Sequence, residues 1–359
     1  MEQVSASAIS AKQQMASRFF RKGVFLATLS GISYGLYTAF ITLAMSVGIW
    51  EDWYGPNLAG LTMFTIVYVI GALGSSLNYT LSAVWGAGIA GARGKLRDFF
   101  KSVNSKPGRM MVLAALVGGP ISSTAYIVGL QLAGSIVIPI AALCPAIGAI
   151  LGRLFYKQKL NLRMLFGISI CVFASFLIGL QSVAPDAPPQ MLMGILIAFI
   201  AAVGWGFEGC VAGYGTSMID YEVGILIRQS VSGIVGLFIL VPVFAIMAGD
   251  MGLSVSLLGD ALSSTNAMLI FFVSSFFTLY AFSLWYKGNA MCGTALGMAC
   301  NGTFSFWGPL FCWIILGVFV GQEGWNLPFV AWVAAVLMSV GILFIAVNPL
   351  KLIEKRGAV

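Results

Sequence analysis

Apolar segments as long as a membrane is thick recur along this 359-residue chain. A helix needs about 20 apolar residues to cross the hydrocarbon core of a bilayer. Hydrophobic residues make up 59% of the chain and charged residues 9%, whereas soluble domains carry about 25% charged residues. A soluble globule and a disordered chain are therefore excluded, and the sequence predicts an all-α integral membrane protein. Ten transmembrane helices are predicted, at roughly 23–47, 58–90, 110–131, 134–154, 164–182, 190–214, 223–248, 267–286, 289–319 and 328–348.

The basic residues indicate how these helices are oriented. All 19 Lys and Arg residues fall on one side of a ten-span arrangement, and Lys and Arg favour cytoplasmic loops. We therefore expect a multi-pass protein of the cell (inner) membrane with both termini cytoplasmic: a tail at 1–22, either flexible or a surface helix, and a tail at 349–359. The acidic residues of the opposite side are Glu51, Asp52, Asp186, Asp250, Asp260 and Glu323.

Several kinds of chemistry are excluded by what the sequence lacks. The chain has no histidine, which removes Ser-His-Asp catalysis and His-ligated zinc. No phosphate-binding G-x-x-x-x-G-K-[ST] motif occurs, so no ATPase is expected. The net charge of +7 is spread over loops without a groove-reading module, which argues against nucleic-acid binding. We expect no metal, no cofactor and no enzymatic activity, and the six cysteines, all in apolar segments, are expected to be free thiols.

Short motifs recur in the same order in the two halves of the chain. Each half contains five predicted spans, and an odd number of spans turns the second copy upside down relative to the first. The motifs therefore predict two inverted five-helix repeats, at 23–182 and 190–348. The matched stretches are Ser33-Tyr34-Gly35 with Gly204-Trp205-Gly206, 126–134 with 280–288, and Asn161-Leu162 with Asn326-Leu327.

These motifs, together with a fourth span that contains Pro139 and Pro145, resemble the drug/metabolite transporter superfamily in its ten-span form with two EamA-like domains. The resemblance implies a central cavity open to one side at a time, lined by the first, third, fourth, sixth, eighth and ninth spans. It also implies transport by alternating access, often coupled to a proton or to exchange of another solute. The sequence departs from the family at Lys157-Gln158, where many members carry Gly-Glu.

Two charged residues within predicted spans are candidates for function. Glu208 lies inside the sixth span, where a carboxylate is costly and should face a cavity or a partner. It could bind a proton, act as countercharge to a cationic solute, or make a structural hydrogen bond. Arg228 lies near the start of the seventh span, where it could snorkel to the surface or pair with Asp220 or Glu222. We expect such a pair to be structural or gating, with solute contact as the alternative.

Aromatic and amide side chains are frequent in the spans expected to line the cavity. Tyr and Trp combine a ring face with one polar group, which suits cation–π contact or stacking on a solute. The same residues also fill helix interfaces and membrane-boundary belts, and amides such as Asn301 also join helices. The expected solute-binding residues are Glu208, Trp205, Tyr34, Tyr37, Tyr126, Tyr280, Trp285, Asn301 and Trp307, and the expected gating residues are Arg228, Asp220 and Glu222.

The function expected from these features is secondary active transport of a small organic solute by alternating access. Metabolites, amino acids, sugars and organic cations all remain open as the solute, as do proton coupling and exchange. A flippase for lipids or lipid carriers on the same fold is the first alternative, and a membrane enzyme acting on lipid is the second. The bilayer and a small solute are the expected partners, and either a monomer or a homodimer could form the transport unit.

Overall fold

A computed structural model describes residues 6–54, 61–157, 161–181, 187–215, 218–292 and 294–346. The described residues form helices and no strand, which confirms the all-α prediction. The expected C-terminal tail at 349–359 lies outside the described residues. The α-helices are α1 (Ala6–Ala44), α2 (Ile49–Tyr54), α3 (Ile70–Ala92), α4 (Leu96–Val103), α5 (Lys106–Leu116), α6 (Thr124–Ala133), α7 (Val137–Ala141), α8 (Cys144–Tyr156), α9 (Leu162–Gln181), α10 (Met191–Gly215), α11 (Tyr221–Val235), α12 (Val241–Met247), α13 (Leu253–Ser263), α14 (Thr265–Cys292), α15 (Thr294–Gly302), α16 (Phe304–Cys312) and α17 (Phe329–Ala346).

Several helical stretches have the length and composition of membrane spans. Within the described ranges, seven are long and apolar enough to cross a bilayer, which is compatible with an integral membrane protein. The seven are Ser17–Ala44, Thr65–Ala92, Lys106–Ala141, Met191–Ala212, Tyr221–Met247, Thr265–Cys292 and Leu296–Phe319, and the shorter apolar helices are Cys144–Phe155, Leu162–Ile178, Leu253–Ser263 and Phe329–Ile345.

The first helix begins earlier than the sequence predicts. Helix α1 starts at Ala6 rather than near residue 23, so much of the stretch expected to be a tail is continuous with the first apolar helix. The side chains of 17–22 are exposed. The hydrophobic pattern begins only after these residues, and for that reason it could not reveal the helix that precedes it.

The long apolar stretch Lys106–Ala141 is interrupted at Gly134. Helix α6 ends at Ala133, and Gly134 adopts φ 62° and ψ −154° before one 3₁₀ turn leads into α7. Glycine adopts positive φ without a steric penalty. The connection between the third and fourth predicted spans is therefore built on this glycine.

Within the described ranges, four short π-helical segments interrupt the longer helices. The one that matters most for the site is Val117–Ser123, which joins α5 to α6 and contains Pro120. Proline has no N–H group for the helical ladder, and π-bulges are frequent at functional sites. The segment begins Val117-Gly118-Gly119, so two residues without side chains face the neighbouring helices. The other three segments are Thr65–Val69, Gly236–Leu240 and Trp313–Phe319.

The centre of the bundle is formed where the long helices meet. Helix α1 packs along α14 and α16, and α10 packs along α6, α8 and the Val117–Ser123 segment. Helices α3 and α11 pack on each other, and α3 also contacts α14. Side chains from α1, α3, α6, α10, α11 and α14 therefore converge on one buried region.

Candidate functional site

A buried ion pair between α10 and α11 lies at the middle of this region. Arg228 donates from Nε to Oε1 of Glu208 at 2.7 Å and from Nη2 to Oε2 at 3.3 Å. Both side chains are 0% exposed. The two parallel contacts use the fork geometry that suits a guanidinium to a carboxylate.

The backbone around the pair makes room for it. Asp220 caps the start of α11 by accepting from the Glu222 N–H at 2.9 Å, which sets the helix that carries Arg228. Gly118 of the Val117–Ser123 segment lies so close to the Glu208 carboxylate that a Cβ at position 118 would overlap the carboxylate. The carboxylate also accepts a hydrogen bond from the Tyr286 hydroxyl, at 3.1 Å from Oε1.

Every face of the Arg228 guanidinium is covered. Its Nη1 donates to Oε1 of Gln229 at 3.1 Å, and its Nη2 lies 3.4 Å from the Gly118 carbonyl oxygen. The guanidinium carbon lies 3.5 Å from the centroid of the Phe282 ring and 4.8 Å from that of Tyr79. Burying one charge without a partner is strongly destabilising, so the pair is held as a neutral, fully coordinated unit.

A cluster of aromatic rings adjoins the ion pair. Tyr34 is its hub, with ring centroids at 5.1 Å from Tyr37, 6.0 Å from Tyr126 and 5.7 Å from Trp205. The Trp205 indole N–H donates to the Gly118 carbonyl at 2.9 Å, which links the rings to the π-helical segment and hence to Glu208. We call Tyr34, Tyr37, Tyr126, Trp205, Phe282 and Phe304 the aromatic cluster.

Several polar atoms near the pair have no hydrogen-bond partner among the described residues. They include the Tyr34 hydroxyl, Nε2 of Gln229 and Nε1 of Trp285. Because Oε1 of Gln229 accepts from Arg228, the amide nitrogen is the end left without a partner. Unpartnered polar atoms are uncommon in protein interiors and cost free energy, so this region has unused capacity for a ligand.

Most of the expected solute-binding residues meet at this centre. Tyr34, Tyr37, Tyr126 and Trp205 lie in the aromatic cluster, together with the carboxylate of Glu208. Trp285 adjoins it, at 6.0 Å from the Phe282 ring.

Three expected residues lie elsewhere. Tyr280 is 39% exposed and lies against Phe276, because it occupies a different face of α14 from Phe282. Trp307 is half-buried, and its backbone lies opposite Gly35 of α1. Asn301 donates to Ser30 Oγ at 3.0 Å. The last two residues thus join helices rather than contact the ion pair.

The expected pairing of Arg228 with Asp220 or Glu222 is wrong, and so is snorkelling, since Arg228 is fully buried. Asp220 and Glu222 pair instead with the residues after α3. Lys95 Nζ lies 3.0 Å from Asp220 Oδ2 and 2.9 Å from Glu222 Oε2, and Arg93 pairs with Glu222. We call these four residues the basic-end cluster. Arg228 is more than one helical turn beyond Glu222 and points into the bundle, out of reach of this cluster.

Mutual interaction shifts the pKa values in the basic-end cluster. Partial burial raises the pKa of the Asp220 carboxyl, but hydrogen bonds from Lys95 and from the start of α11 outweigh it and leave the pKa below its ordinary value. Hydrogen bonds to Glu222 and Asp220 raise the pKa of Lys95 above its ordinary value, against the opposing effect of burial. Both shifts favour the charged, paired forms at neutral pH.

A pocket of about 190 Å³ adjoins the basic-end cluster between α3, α11 and α14. Lys287 donates to the Tyr221 hydroxyl there at 3.0 Å, and Tyr221 donates to Glu222 at 2.8 Å. The pocket walls are otherwise mostly apolar. The lining residues are Gly86, Ile89, Ala90, Arg93, Tyr221, Glu222, Ile225, Leu279, Tyr280, Ser283, Leu284 and Lys287.

Sequence reasoning missed Phe282, Gly118, Tyr79 and Phe304 of the centre, and it did not select Tyr286 as a solute-binding residue. Phe282, Trp285 and Tyr286 are spaced i, i+3 and i+4 on one face of α14, but nothing in this uniformly apolar helix tells that face from the others. The pair of glycines before Pro120 was the available signal for close backbone approach at Gly118. In the part of the chain described here, no group of three or more potential metal ligands occurs.

Comparison with known proteins supports the fold alone. No protein-family model matches the sequence, and no curated protein matches it. A protein of known crystal structure is similar over 89% of this chain and 96% of its own, with a TM-score of 0.51 and 17% sequence identity. At that identity the similarity extends to the arrangement of helices and carries no information on function.

Proposed function

We propose that this protein is a secondary active transporter that moves a small organic solute by alternating access, and that it is related to the drug/metabolite transporters. The observation that carries the proposal is the fully buried Glu208–Arg228 pair beside the aromatic cluster. Ionisable residues inside a membrane protein are costly and commonly mark solute or ion pathways. The unpartnered polar atoms of Tyr34, Gln229 and Trp285 give the same region unused capacity to bind a solute.

Helix packing supports the two inverted five-helix repeats on which this mechanism depends. Under the repeat, α1 corresponds to α10 and α14 corresponds to α6. The packing of α1 along α14 then matches the packing of α10 along α6. The pairs α3–α11 and α9–α17, each formed by corresponding helices, also pack together. In this arrangement three of the shorter apolar helices, Cys144–Phe155, Leu162–Ile178 and Phe329–Ile345, bring the seven long stretches to ten crossings.

Broken helices at corresponding places support a site at the centre. Helices α7 and α8 are separated by a turn at Ala142 and Leu143, and α15 and α16 by Thr303. Transporters with inverted repeats commonly place their solute sites beside such discontinuous helices. Both breaks belong to helices that pack on α10 or α1, the helices that carry Glu208 and Tyr34.

The basic-end cluster fits the role of a gate. Its ion pairs join the connection after α3 to the start of α11, so they hold these two segments together at one end of the bundle. In the proposed cycle the pairs close the cytoplasmic entrance and separate when it opens. Asp220 and Glu222 thus remain gating residues, with Arg93 and Lys95 as their partners, whereas Arg228 belongs to the solute site.

A ligand screen followed by transport tests this proposal. Purified protein is heated with about a hundred metabolites at two pH values, because a ligand at 100 times its Kd stabilises the folded state by about 2.7 kcal/mol. Compounds that raise the melting temperature are then tested for uptake into proteoliposomes. We expect Glu208→Gln to change transport or its pH dependence, while Glu51→Gln, at an exposed position, leaves both unchanged.

Two results would contradict the proposal. If Glu208→Gln transports every identified solute with unchanged rate and pH dependence, the ion pair has no part in transport. If folded protein gives no shift with any soluble metabolite, labelled lipids and lipid carriers are tested next, since the flippase alternative then gains.

A further inference from the structure

The polar atoms left unpartnered around the ion pair are mainly donors. The Trp285 indole N–H can only donate, and so can the amide nitrogen of Gln229, while the Tyr34 hydroxyl can do either. All three atoms are buried. Gln229 is bonded to Arg228, and the Phe282 ring contacts both the guanidinium, at 3.5 Å, and the Trp285 ring, at 6.0 Å. A solute that satisfies this set must supply hydrogen-bond acceptors.

Arg228 offers the strongest donor site in the region. Its planar fork matches a carboxylate, and Glu208 occupies that fork in this structure. A solute carboxylate could take the place of Glu208 with the same geometry. Two carboxylates sharing one buried guanidinium would leave an unbalanced negative charge, which favours protonation of one of them.

We propose that the transported solute carries a carboxylate, which replaces Glu208 on Arg228 while Glu208 takes up one proton. The inference rests on the proposed transport function and names the chemistry of its solute. The proton comes from a hydronium ion in the water on the side from which the solute enters. One O–H bond of the hydronium breaks, releasing water, as an O–H bond forms on the Glu208 carboxylate. The occupied site stays neutral, so solute and proton move together.

Among the described groups that face the pair, Glu208 supplies the carboxylate. The titratable groups facing it or its partner come from α8, α11, α14, α3 and α1. Apart from Arg228 they are thiols and phenols, which are weaker acids than a carboxyl group. Lys287 follows Tyr286 in sequence but bonds to Tyr221, away from the pair. The groups are Cys144, Arg228, Tyr286, Tyr79, Tyr34 and Tyr37.

Binding measurements with matched small probes test the proposal. Acetate is compared with acetamide, and benzoate with benzamide and benzamidine. Within each set the hydrocarbon part is the same, while the polar group is a carboxylate, a neutral amide or a cation. Binding to the purified full-length protein is followed by thermal stabilisation at constant ionic strength. Because one proton is taken up per carboxylate bound, the apparent Kd should fall as pH is lowered from about 7.5 to about 5.5, by at most about tenfold per pH unit.

Variants separate the two halves of the proposal. Glu208→Gln resembles the protonated acid, so it should bind the carboxylates at all these pH values with no pH dependence. Arg228→Lys loses the fork and should weaken carboxylate binding at least tenfold, while Arg97→Lys, on the exposed face of α4, should not. Should Glu208→Gln fail to fold, Tyr286→Phe serves instead. It removes a hydrogen bond that favours ionised Glu208, so it should strengthen carboxylate binding near pH 7.

Several outcomes would overturn the inference. The first is carboxylate binding that does not depend on pH in the unmodified protein. The second is failure of acetate and benzoate to bind both the unmodified protein and Glu208→Gln, or Tyr286→Phe where Glu208→Gln does not fold. The third is stronger binding of benzamidine than of benzoate. These results are distinct from failure of the transport proposal. A protein that carries only cations or uncharged solutes into proteoliposomes would refute the carboxylate while leaving transport intact.

Discussion

The guanidinium of Arg228 lies flat against Phe282, with 3.5 Å between the guanidinium carbon and the ring centroid. The ring covers a charge that Glu208 neutralises, and its centroid also lies 6.0 Å from that of Trp285. Aromatic cover of this kind attracts the cation and excludes water at the same time. Phe282 is therefore part of the electrostatic site even though it has no polar atom.

Replacing Phe282 with leucine should destabilise the protein. The change keeps an apolar side chain but removes a buried cation–π contact worth about 2 kcal/mol. We expect the melting temperature in detergent to fall clearly for Phe282→Leu and little for Phe238→Leu, because Phe238 is 71% exposed. Equal melting temperatures for the two variants would show that the ring does not stabilise Arg228.

Gly118→Ala should disturb the ion pair directly. A Cβ at Gly118 would overlap the Glu208 carboxylate, so either the carboxylate or the π-helical segment must move, at a cost of about 1–3 kcal/mol. Gly88→Ala is the matched control, since a Cβ there meets no atom within 4 Å and alanine favours the helix. Gly118→Ala should lower the melting temperature and reduce solute binding, whereas Gly88→Ala should do neither. A stable Gly118→Ala protein with unchanged binding would argue against this close contact.

The basic-end cluster should lose stability in acid. The pKa of Asp220 is below its ordinary value in the folded protein, so its contribution is present at neutral pH and is lost as pH falls through that lowered pKa. Lys95→Met should reduce this acid dependence, by no more than about 1 kcal/mol because the pair is partly exposed. Melting temperatures between about pH 3 and pH 7 measure it, with Lys101→Met, at an exposed position of α4, as control. Identical pH profiles for the two variants would contradict the assigned pairing.

Asn301 should act through Ser30 rather than through the solute. Its amide donates to the Ser30 hydroxyl between α15 and α1, and interhelical hydrogen bonds of this kind contribute about 0.6 kcal/mol, with a maximum of about 1.7. We expect Asn301→Ala and Ser30→Ala to destabilise the protein by similar amounts and to be less than additive together. The solute affinity of Asn301→Ala should stay within about twofold of the unmodified protein, because Asn301 is expected to make no contact with the solute. Loss of a direct contact worth about 1.4 kcal/mol would weaken binding about tenfold. A large loss of solute affinity in Asn301→Ala would instead indicate that Asn301 contacts the solute.

The proposed orientation can be checked by labelling. Lys101 lies in α4 beside the basic-end cluster, and Glu51 lies in α2, which the positive-inside pattern places on the other side. In intact cells a membrane-impermeant maleimide should label Glu51→Cys but not Lys101→Cys. Lys101→Cys should be labelled once the cells are permeabilised. Five of the six native cysteines are buried and Cys292 is half-buried, so they give a low background. If only Lys101→Cys were labelled in intact cells, the protein would have the opposite orientation in the membrane.

Sequence alone could identify the residues that are improbable inside a membrane, and these lead to the site. Glu208 is such a residue, and the repeat motif that matches Tyr34 to Trp205 picks out two rings that lie 5.7 Å apart. The partner of Glu208 could not be found in the same way. Arg228 is on another helix, and the nearby acids offered a local pairing that the packing of α10 on α11 does not use.

The faces of the helices were also beyond sequence reasoning. Tyr280 and Trp285 are both aromatic residues of one apolar helix, yet one is exposed and the other is buried beside the aromatic cluster. An apolar helix in a membrane protein shows little contrast between its faces, because lipid and protein interior are similarly apolar. Charge and motif order were therefore informative, while hydrophobic periodicity was not.

The mutual neutralisation of Glu208 and Arg228 has a consequence for how membrane voltage acts on the proposed transporter. A single elementary charge carried across a potential of 100 mV exchanges about 2.3 kcal/mol with the field. Since the empty site holds one positive and one negative side chain in contact, its return across the membrane displaces no net charge. The resting potential would then neither speed nor oppose the return of the unloaded carrier, and the turnover rate would follow the concentration gradients of the solute and its coupling ion.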